Sequence, residues 1–445
     1  MAEQADFETR PISDEVWGRM KNLRREHWQH TWKAQAEGGL CVTGLAWQFQ
    51  PLLAGFGEFA SPSMGTGFIR AAREGTGPNG LRKYVDIATA QGLTPMCGAI
   101  GAHLGQVYEG ISFQSPSGEK ITPDFIFQPH GCHAIYKGAQ VCSEILGLPM
   151  LMIELPTTNN TENTREYIIA QLADAIEWIE KLTGKKFDDE KFVAAIRYAS
   201  TAKVLWAKVT ELMKNIPSPI SLRQAMSLNI PIISYPHSKG TMEYMKALYA
   251  EVQQRVRDGI AGTPFEKKRL NHEGIHPLYR PDILRWPEEY GAAFIGGTLS
   301  RGYGAYIYTE DGHAMPGKTP EERGMALRSR EEAIRAMVYL NLPPEGAREA
   351  VRTTTIIQSA RDWHADGVIL HMSRRCPAGT CGIFDRKADL LAAGIPVASY
   401  EASEADPNEF DEARIREDFE SFLESLGLTK MNIAQDSRNQ AEDSI

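Results

Sequence analysis

Residues 123–154 read PDFIFQPHGCHAIYKGAQVCSEILGLPMLMIE, and residues 366–401 read DGVILHMSRRCPAGTCGIFDRKADLLAAGIPVASYE. Laid over one another, both run strand, cysteine, helix, Gly-Leu-Pro or Gly-Ile-Pro, strand, acid. Cys132 and Glu154 hold the marked positions in the first, Cys376 and Glu401 in the second. Short apolar runs bounded by Gly or Pro and alternating with helical segments are the pattern of a parallel α/β sheet. Its occurrence twice predicts two domains on one plan. Open parallel sheets receive ligands just beyond the C-terminal ends of their strands, where both cysteines stand. A third cysteine repeats the theme, since GLTPMCGAI (92–100) sets Cys97 after a short extended run, one βα unit before Cys132.

Working outward, strands are expected at Pro123–Phe127, Met150–Leu155, Ala292–Ile295, Gly367–Met372 and Pro396–Tyr400. In TREYIIAQLADAIEWIEKLTG, Ile168, Leu172, Ile176, Ile179 and Leu182 recur at helical spacing, with Thr164 as the expected cap and Gly184 as the stop. A second helix follows from Asp189 to about Lys214, and an acidic one near the C-terminus uses Ile415, Phe419, Phe422 and Leu426. The predicted organisation is an α/β chain of two parallel-sheet domains, 91–215 and 216–428, divided in NIPSPISLRQAMSLNIP. A partly helical N-terminal extension, 1–90, precedes them and a disordered tail, 429–445, follows. Within the extension a helix is expected over Ile12–Glu37, while GLAWQFQPLLAGFGEFASPSMGTG has no periodicity that assigns it a fold.

Composition sets the limits of function. A chain of 445 residues exceeds the size at which one core keeps growing, and its 42% apolar content can fill two. The net charge of -9, without a dense Lys/Arg run, argues against nucleic acid or an anionic membrane as partner. The acidic, polar start MAEQADFETRPISDEVW has no apolar targeting core, and no stretch approaches a membrane span, so a cytoplasmic location is expected. Six cysteines in so long a chain do not make a disulfide scaffold.

Those cysteines are therefore buried apolar residues or ligands. Cys41 in GGLCVTGL and Cys142 within the helical AQVCSEIL fit the first role. Cys97, Cys132 and Cys376, at strand ends in facing domains, fit the second: three soft thiolates with one position open suit an iron–sulfur cluster or zinc. Cys381, five residues past Cys376, is the alternative third ligand. His130 and His133 flank Cys132, and Arg374 and Arg375 precede Cys376, where donors and positive charge would tune such a centre. NHEGIHPL contains His272, Glu273 and His276 as H-E-x-x-H, but Gly274 and Pro277 deny the helix that a zinc protease needs, so the motif reads as a loop. No P-loop, dinucleotide fingerprint or G-x-S-x-G elbow is present.

The segments LPMLMIELPTTNNTENTREYIIAQLADAIEWIEKLTGKKFDDEKF, DGVILHMSRRC and RIREDFESFLESLG resemble the catalytic subunits of benzoyl-CoA reductase, in a family that also holds the 2-hydroxyacyl-CoA dehydratases. The resemblance runs from about Thr94 to Leu426. It implies two flavodoxin-like domains and a 4Fe-4S cluster held by three cysteines, whose positions Cys97, Cys132 and Cys376 match. The fourth iron position would face the substrate. It also implies a homologous sister subunit and a separate ATPase activator with its own cluster, fed by ferredoxin. The reaction would dearomatise an aryl-CoA to a cyclic dienoyl-CoA, with His130, His133 and Tyr136 the candidate proton donors beside Cys132. The dehydratases commonly carry an acid after the ligand cysteine, whereas this chain reads GCHAIY and RRCPAGTC, which favours the reductase branch. A dehydratase subunit and a non-catalytic electron relay are the alternatives.

Overall fold

The computed structural model describes residues 6–44, 48–62, 78–93, 97–113, 120–156, 161–309, 311–342 and 353–432. Its frame is two four-stranded parallel sheets. The first comprises β1 (Leu40–Thr43), β2 (Phe59–Ala60), β3 (Phe125–Pro129) and β4 (Met150–Ile153), in the order β2-β1-β3-β4. The second uses β5 (Lys268–Glu273) and β6 (Ala292–Gly297); after a small antiparallel pair, β7 (Tyr306–Tyr308) and β8 (Ala314–Pro316), come β9 (Gly367–Ser373) and β10 (Val397–Ala402). Its order is β10-β9-β5-β6, all parallel. Read from the other edge this is β6-β5-β9-β10, the same winding as the first sheet. The duplicated sequence plan is thus a duplicated topology.

The duplication reaches further than the two segments that first displayed it. Leu40–Gly44 and Leu270–Gly274 are equivalent: each closes the first strand of its half on a glycine with positive φ, 124° at Gly44 and 96° at Gly274. At both, a Cβ would press on a backbone carbonyl of the neighbouring third strand, Phe127 O or His371 O, so only glycine lets these strand ends turn so close to their neighbours. This corrects the loop reading of NHEGIHPL: His272 and Glu273 end a buried strand, and only the residues after Gly274 form the loop. β5 escaped the sequence reading because KRLNHE carries one aliphatic residue in six; charged and polar side chains that find internal partners replace the usual apolar run.

Residues before 90 also enter the first sheet, because Leu40 and Cys41 pair with Phe59 and Ala60 while Val42 and Thr43 pair with Phe125 and Ile126. Within GLAWQFQPLLAGFGEFASPSMGTG, a 3-10 helix spans Gln50–Phe56 and packs Leu52, Leu53 and Phe56 into the core; residues 45–47 and 63–67 lie outside the described residues, as do 94–96 before Cys97. The expected N-terminal helix is Asp14–Lys33, capped by Ser13.

The helix Glu162–Thr183 is capped by Thr161, whose hydroxyl accepts from Thr164 N–H at 3.2 Å, so Thr164 sits in the first turn rather than at the cap; Gly184 ends the helix in the left-handed conformation. The helix Asp189–Leu212 runs between the two halves. Phe192 and Ile196 face a core with β3 and the helix Arg330–Asn341, while Trp206 and Val209 face another with Val16, Met20 and Ile295. Each core therefore contains residues from both halves of the chain. At the C-terminus Leu428 and Met431 remain buried, with Met431 N–H donating to Glu289 O at 2.8 Å; the rest of the expected disordered tail, 433–445, lies outside the described residues.

Candidate functional site

Chain winding decides where the cysteines stand. Cys132 follows β3 and is the N-cap of the helix His133–Leu146; Cys97 is the N-cap of the helix Gly98–Tyr108. The helix N-termini favour negative charge beside both sulfurs. Cys376 lies three residues past the end of β9, its N–H donating to Ser373 O at 3.3 Å. All three are partly buried and none is in a disulfide. Cys41 lies wholly inside on β1 and Cys142 inside on its helix, as expected of apolar cysteines, and burial pushes the Cys142 thiol up to about 12.

Cys97 and Cys376 come from different halves of the chain yet lie within electrostatic reach. Burial raises the Cys97 thiol strongly, the charge of Glu404 raises it further, and the Cys376 sulfur adds to the effect. Cys381 has no such relation to Cys97: it is exposed, beyond the short helix Pro377–Thr380. Cys97 donates to Glu404 Oε1 at 3.1 Å. Among the described residues, no group of three or more His, Cys, Asp or Glu side chains is gathered as a metal site, so Cys132 does not complete a trio with the pair. The donor set still suits a soft metal centre, with three unbridged, partly buried thiols, Cys132 and Cys376 just beyond the ends of parallel strands and Cys97 at a helix N-terminus.

Beside Cys132 stands a polar chain. His130 Nδ1 lies 2.7 Å from Glu154 Oε2 at the end of β4, and His130 Nε2 lies 3.3 Å from His133 Nδ1. Tyr136 stacks obliquely on His130 with ring centroids 5.0 Å apart. Both predicted histidines are thus joined, and Glu154 anchors them. At the end of β9 in the second half, Arg374 bonds Glu401 of β10 at 2.8 Å. Arg375 turns to Asp406 at 3.0 Å and Glu409 at 2.9 Å.

Sequence reasoning missed Glu404 and Ser373, which meet at the Cys97 site. Glu154 was visible as the acid five residues after the strand-leading proline in both repeats, whereas nothing in the sequence around Glu404 marks it. The H-E-x-x-H residues do different work. Glu273 pairs with Arg301 at 3.2 Å, both side chains 2% exposed, and accepts the Thr298 hydroxyl; His272 Nε2 meets Tyr400 OH at 2.8 Å. Burial holds His272 neutral, reinforced by His276 and His371. No helix among the described residues is long and apolar enough to cross a membrane.

Comparison with known proteins matches this arrangement to one family. The model of the family "HGD-D: 2-hydroxyglutaryl-CoA dehydratase, D-component" matches residues 75–426. The chain is 26% identical over 357 residues to the (R)-phenyllactyl-CoA dehydratase alpha subunit of Clostridium sporogenes, covering 77% of this chain and 79% of the relative. It is 24% identical over 322 residues to the alpha subunit of (R)-2-hydroxyglutaryl-CoA dehydratase of Acidaminococcus fermentans, covering 68% and 60%. It is 23% identical over 372 residues to a subunit of benzoyl-CoA reductase of Thauera aromatica, covering 78% and 82%. With two wound sheets, strand-end thiols and a match over most of its length, the chain belongs to the 2-hydroxyglutaryl-CoA dehydratase D-component family.

Proposed function

We propose that this chain is a subunit of an enzyme that transforms a CoA thioester by low-potential electron transfer, with Cys97, Cys132 and Cys376 holding a 4Fe-4S cluster. The observation that carries the reading is that Cys97 and the Ser373–Cys376 turn, from different halves, meet on the one carboxylate of Glu404, just past the ends of β9 and β10 where α/β folds receive ligands. Such a cluster, when bound, supplies single electrons at a potential set by its charge, hydrogen bonds and exposure. The residues of the chain supply the rest. The helix N-terminus at Cys132 favours a thiolate ligand, and the Glu154–His130–His133 chain holds exchangeable protons beside it.

The reaction we assign is dearomatisation of an aryl-CoA to a cyclic dienoyl-CoA, in which two electrons and two protons add to the ring. The electrons come from reduced ferredoxin through an ATP-hydrolysing activator with its own 4Fe-4S cluster, working in the cytoplasm on a pair formed with a homologous sister subunit. In support, residues after the strand-end cysteines are His133 and Pro377 rather than acids, and the benzoyl-CoA reductase relative is matched over 82% of its length. Relatives that are each named as one subunit of an enzyme fit a chain that works with a sister. The dehydratase names among the relatives favour a second reading, elimination of water from a 2-hydroxyacyl-CoA with the electron recycled.

Two measurements on the anaerobically purified complex, co-expressed with its sister and activator, test these readings. Iron and acid-labile sulfide near four each per chain, lost on Cys→Ala at 97, 132 and 376 but kept at 381, support the ligand set; zinc without sulfide refutes it. Reductant consumed per product then separates the reactions. Two electrons per turnover support the reductase, and a catalytic amount supports the dehydratase.

A further inference from the structure

We propose that Glu404 is a positioning residue that sets the separation of Cys97 and Cys376, clamping the helix of one half to the strand end of the other. The carboxylate lies just past β10 and is 2% exposed. Its Oε1 accepts from the Cys97 thiol and from Gly98 N–H, each at 3.1 Å, and its Oε2 accepts the Ser373 hydroxyl. Ser373 is the last residue of β9, and its carbonyl accepts from Cys376 N–H at 3.3 Å and from the Thr380 hydroxyl at 2.6 Å. One side chain therefore grips the peptide at Cys97 and the peptide that carries Cys376.

The surroundings are built for that grip. Ser403 Oγ accepts from Ala405 N–H at 3.3 Å and Asp406 N–H at 3.0 Å, fixing the turn that presents Glu404, and Leu278 N–H donates to Glu404 O at 2.9 Å. Gly98 has no side chain where a Cβ would lie 2.8 Å from Ser403 Oγ, so the helix can dock directly on the turn. Leu81, Val85, Ala102 and Ala405 form an apolar patch that holds the same two surfaces together. Loss of the thiol proton on metal binding removes only one of three donors; the bonds from Gly98 and Ser373 keep the clamp closed. A buried carboxylate held beside a metal-bound thiolate also adds negative charge near the centre, which stabilises its oxidised form.

This inference rests on Cys97 and Cys376 being ligands, and its test separates the two claims. In the full-length chain stripped of metal by chelator, dibromobimane becomes fluorescent only when both arms have reacted, so it reports the Cys97–Cys376 spacing without any cluster. On a Cys132→Ser/Cys381→Ser background we expect a strong cross-link, identified by mass spectrometry. E404A should lose it several-fold. E404Q should retain it, since the amide oxygen can still accept from Gly98 and the amide N–H can donate to a rotated Ser373 hydroxyl. Ser373→Ala, which removes one arm, should give an intermediate loss and decides the matter should E404A not fold. In the loaded complex E404Q should shift the midpoint potential upward with iron content unchanged. Unchanged cross-linking in E404A and Ser373→Ala, or none in the parent, overturns the clamp; a lost cross-link in a chain that never takes up iron upholds it and refutes the ligand reading.

Discussion

Arg374 and Glu401 meet at 2.8 Å at the ends of β9 and β10, as His130 and Glu154 meet at 2.7 Å at the ends of β3 and β4, with Glu401 two residues earlier in the strand register than Glu154. In both halves the cation lies two residues before the strand-end cysteine and the acid five residues after the proline that leads the next strand. The halves thus share a scaffold but not its chemistry. Arg374 is permanently charged and can only hold its partner, whereas His130 can carry a proton and passes its second nitrogen to His133.

That difference predicts where protons enter. His130→Ala should lower kcat by about 10²–10⁴, the usual contribution of a positioned acid or base, while iron content stays at the wild-type level. Arg374→Lys should leave kcat within about ten-fold, because an ammonium can still meet Glu401. Steady-state kinetics with metal analysis on each variant checks this, and equal losses in both would argue against a proton role for His130.

Gly98→Ala should weaken the docking of the Cys97 helix. The new methyl would meet Ser403 Oγ at 2.8 Å and the Ala405 methyl at 3.3 Å, and Ser403 cannot simply swing away because it holds two backbone N–H groups. Overpacking of this kind costs roughly 1–3 kcal/mol. Urea denaturation should register the loss, and hydrogen exchange should place faster opening over Gly98–Tyr108.

Glu273 and Arg301 form a buried ion pair, both 2% exposed, with Thr298 and Ser359 as further partners. Removing one partner leaves a buried charge alone, so Glu273→Ala should destabilise by about 3–5 kcal/mol. Replacing both by apolar residues of similar volume should cost less than either single change. A double-mutant cycle in urea measures the coupling.

Acid should loosen the fold through its buried histidines. Burial lowers His103 and His276 from 6.5 to about 4, with His371 adding to the effect on His276, so both are neutral in the folded chain. The unfolded chain binds these protons first as pH falls, so the stability due to burying the neutral rings is whole above pH 6.5 and lost towards pH 4. Each contributes about 3 kcal/mol over that window. Urea midpoints measured from pH 7 to 5 should fall, and His103→Gln should flatten the slope.

Local chemistry was enough to define much of this molecule in advance. Four of the five strands expected after residue 120 begin within one residue of their expected starts or lie inside the predicted run: β4, β6, β9 and β10. β6 and β9 are buried on both faces and read as continuous apolar runs, while the half-buried edge strands β4 and β10 were marked by the Gly-Leu-Pro and Gly-Ile-Pro that lead them. Repetition around Cys132 and Cys376 disclosed the two-sheet plan and placed those two cysteines just past strand ends, whereas Cys97, expected after a strand, stands at a helix N-terminus. β1 and β2 are short and set among glycines and prolines, and β5 is polar, so neither leaves the periodic signal on which such readings depend. Only the tertiary structure brought Cys97 to Glu404, joined Glu404 through Ser373 to the turn that carries Cys376, and turned H-E-x-x-H into a strand end with an internal ion pair. These relations span 279 residues from Cys97 to Cys376 and 307 from Cys97 to Glu404. Contacts so distant in sequence are fixed by how the sheets wind and pack, which no local pattern encodes.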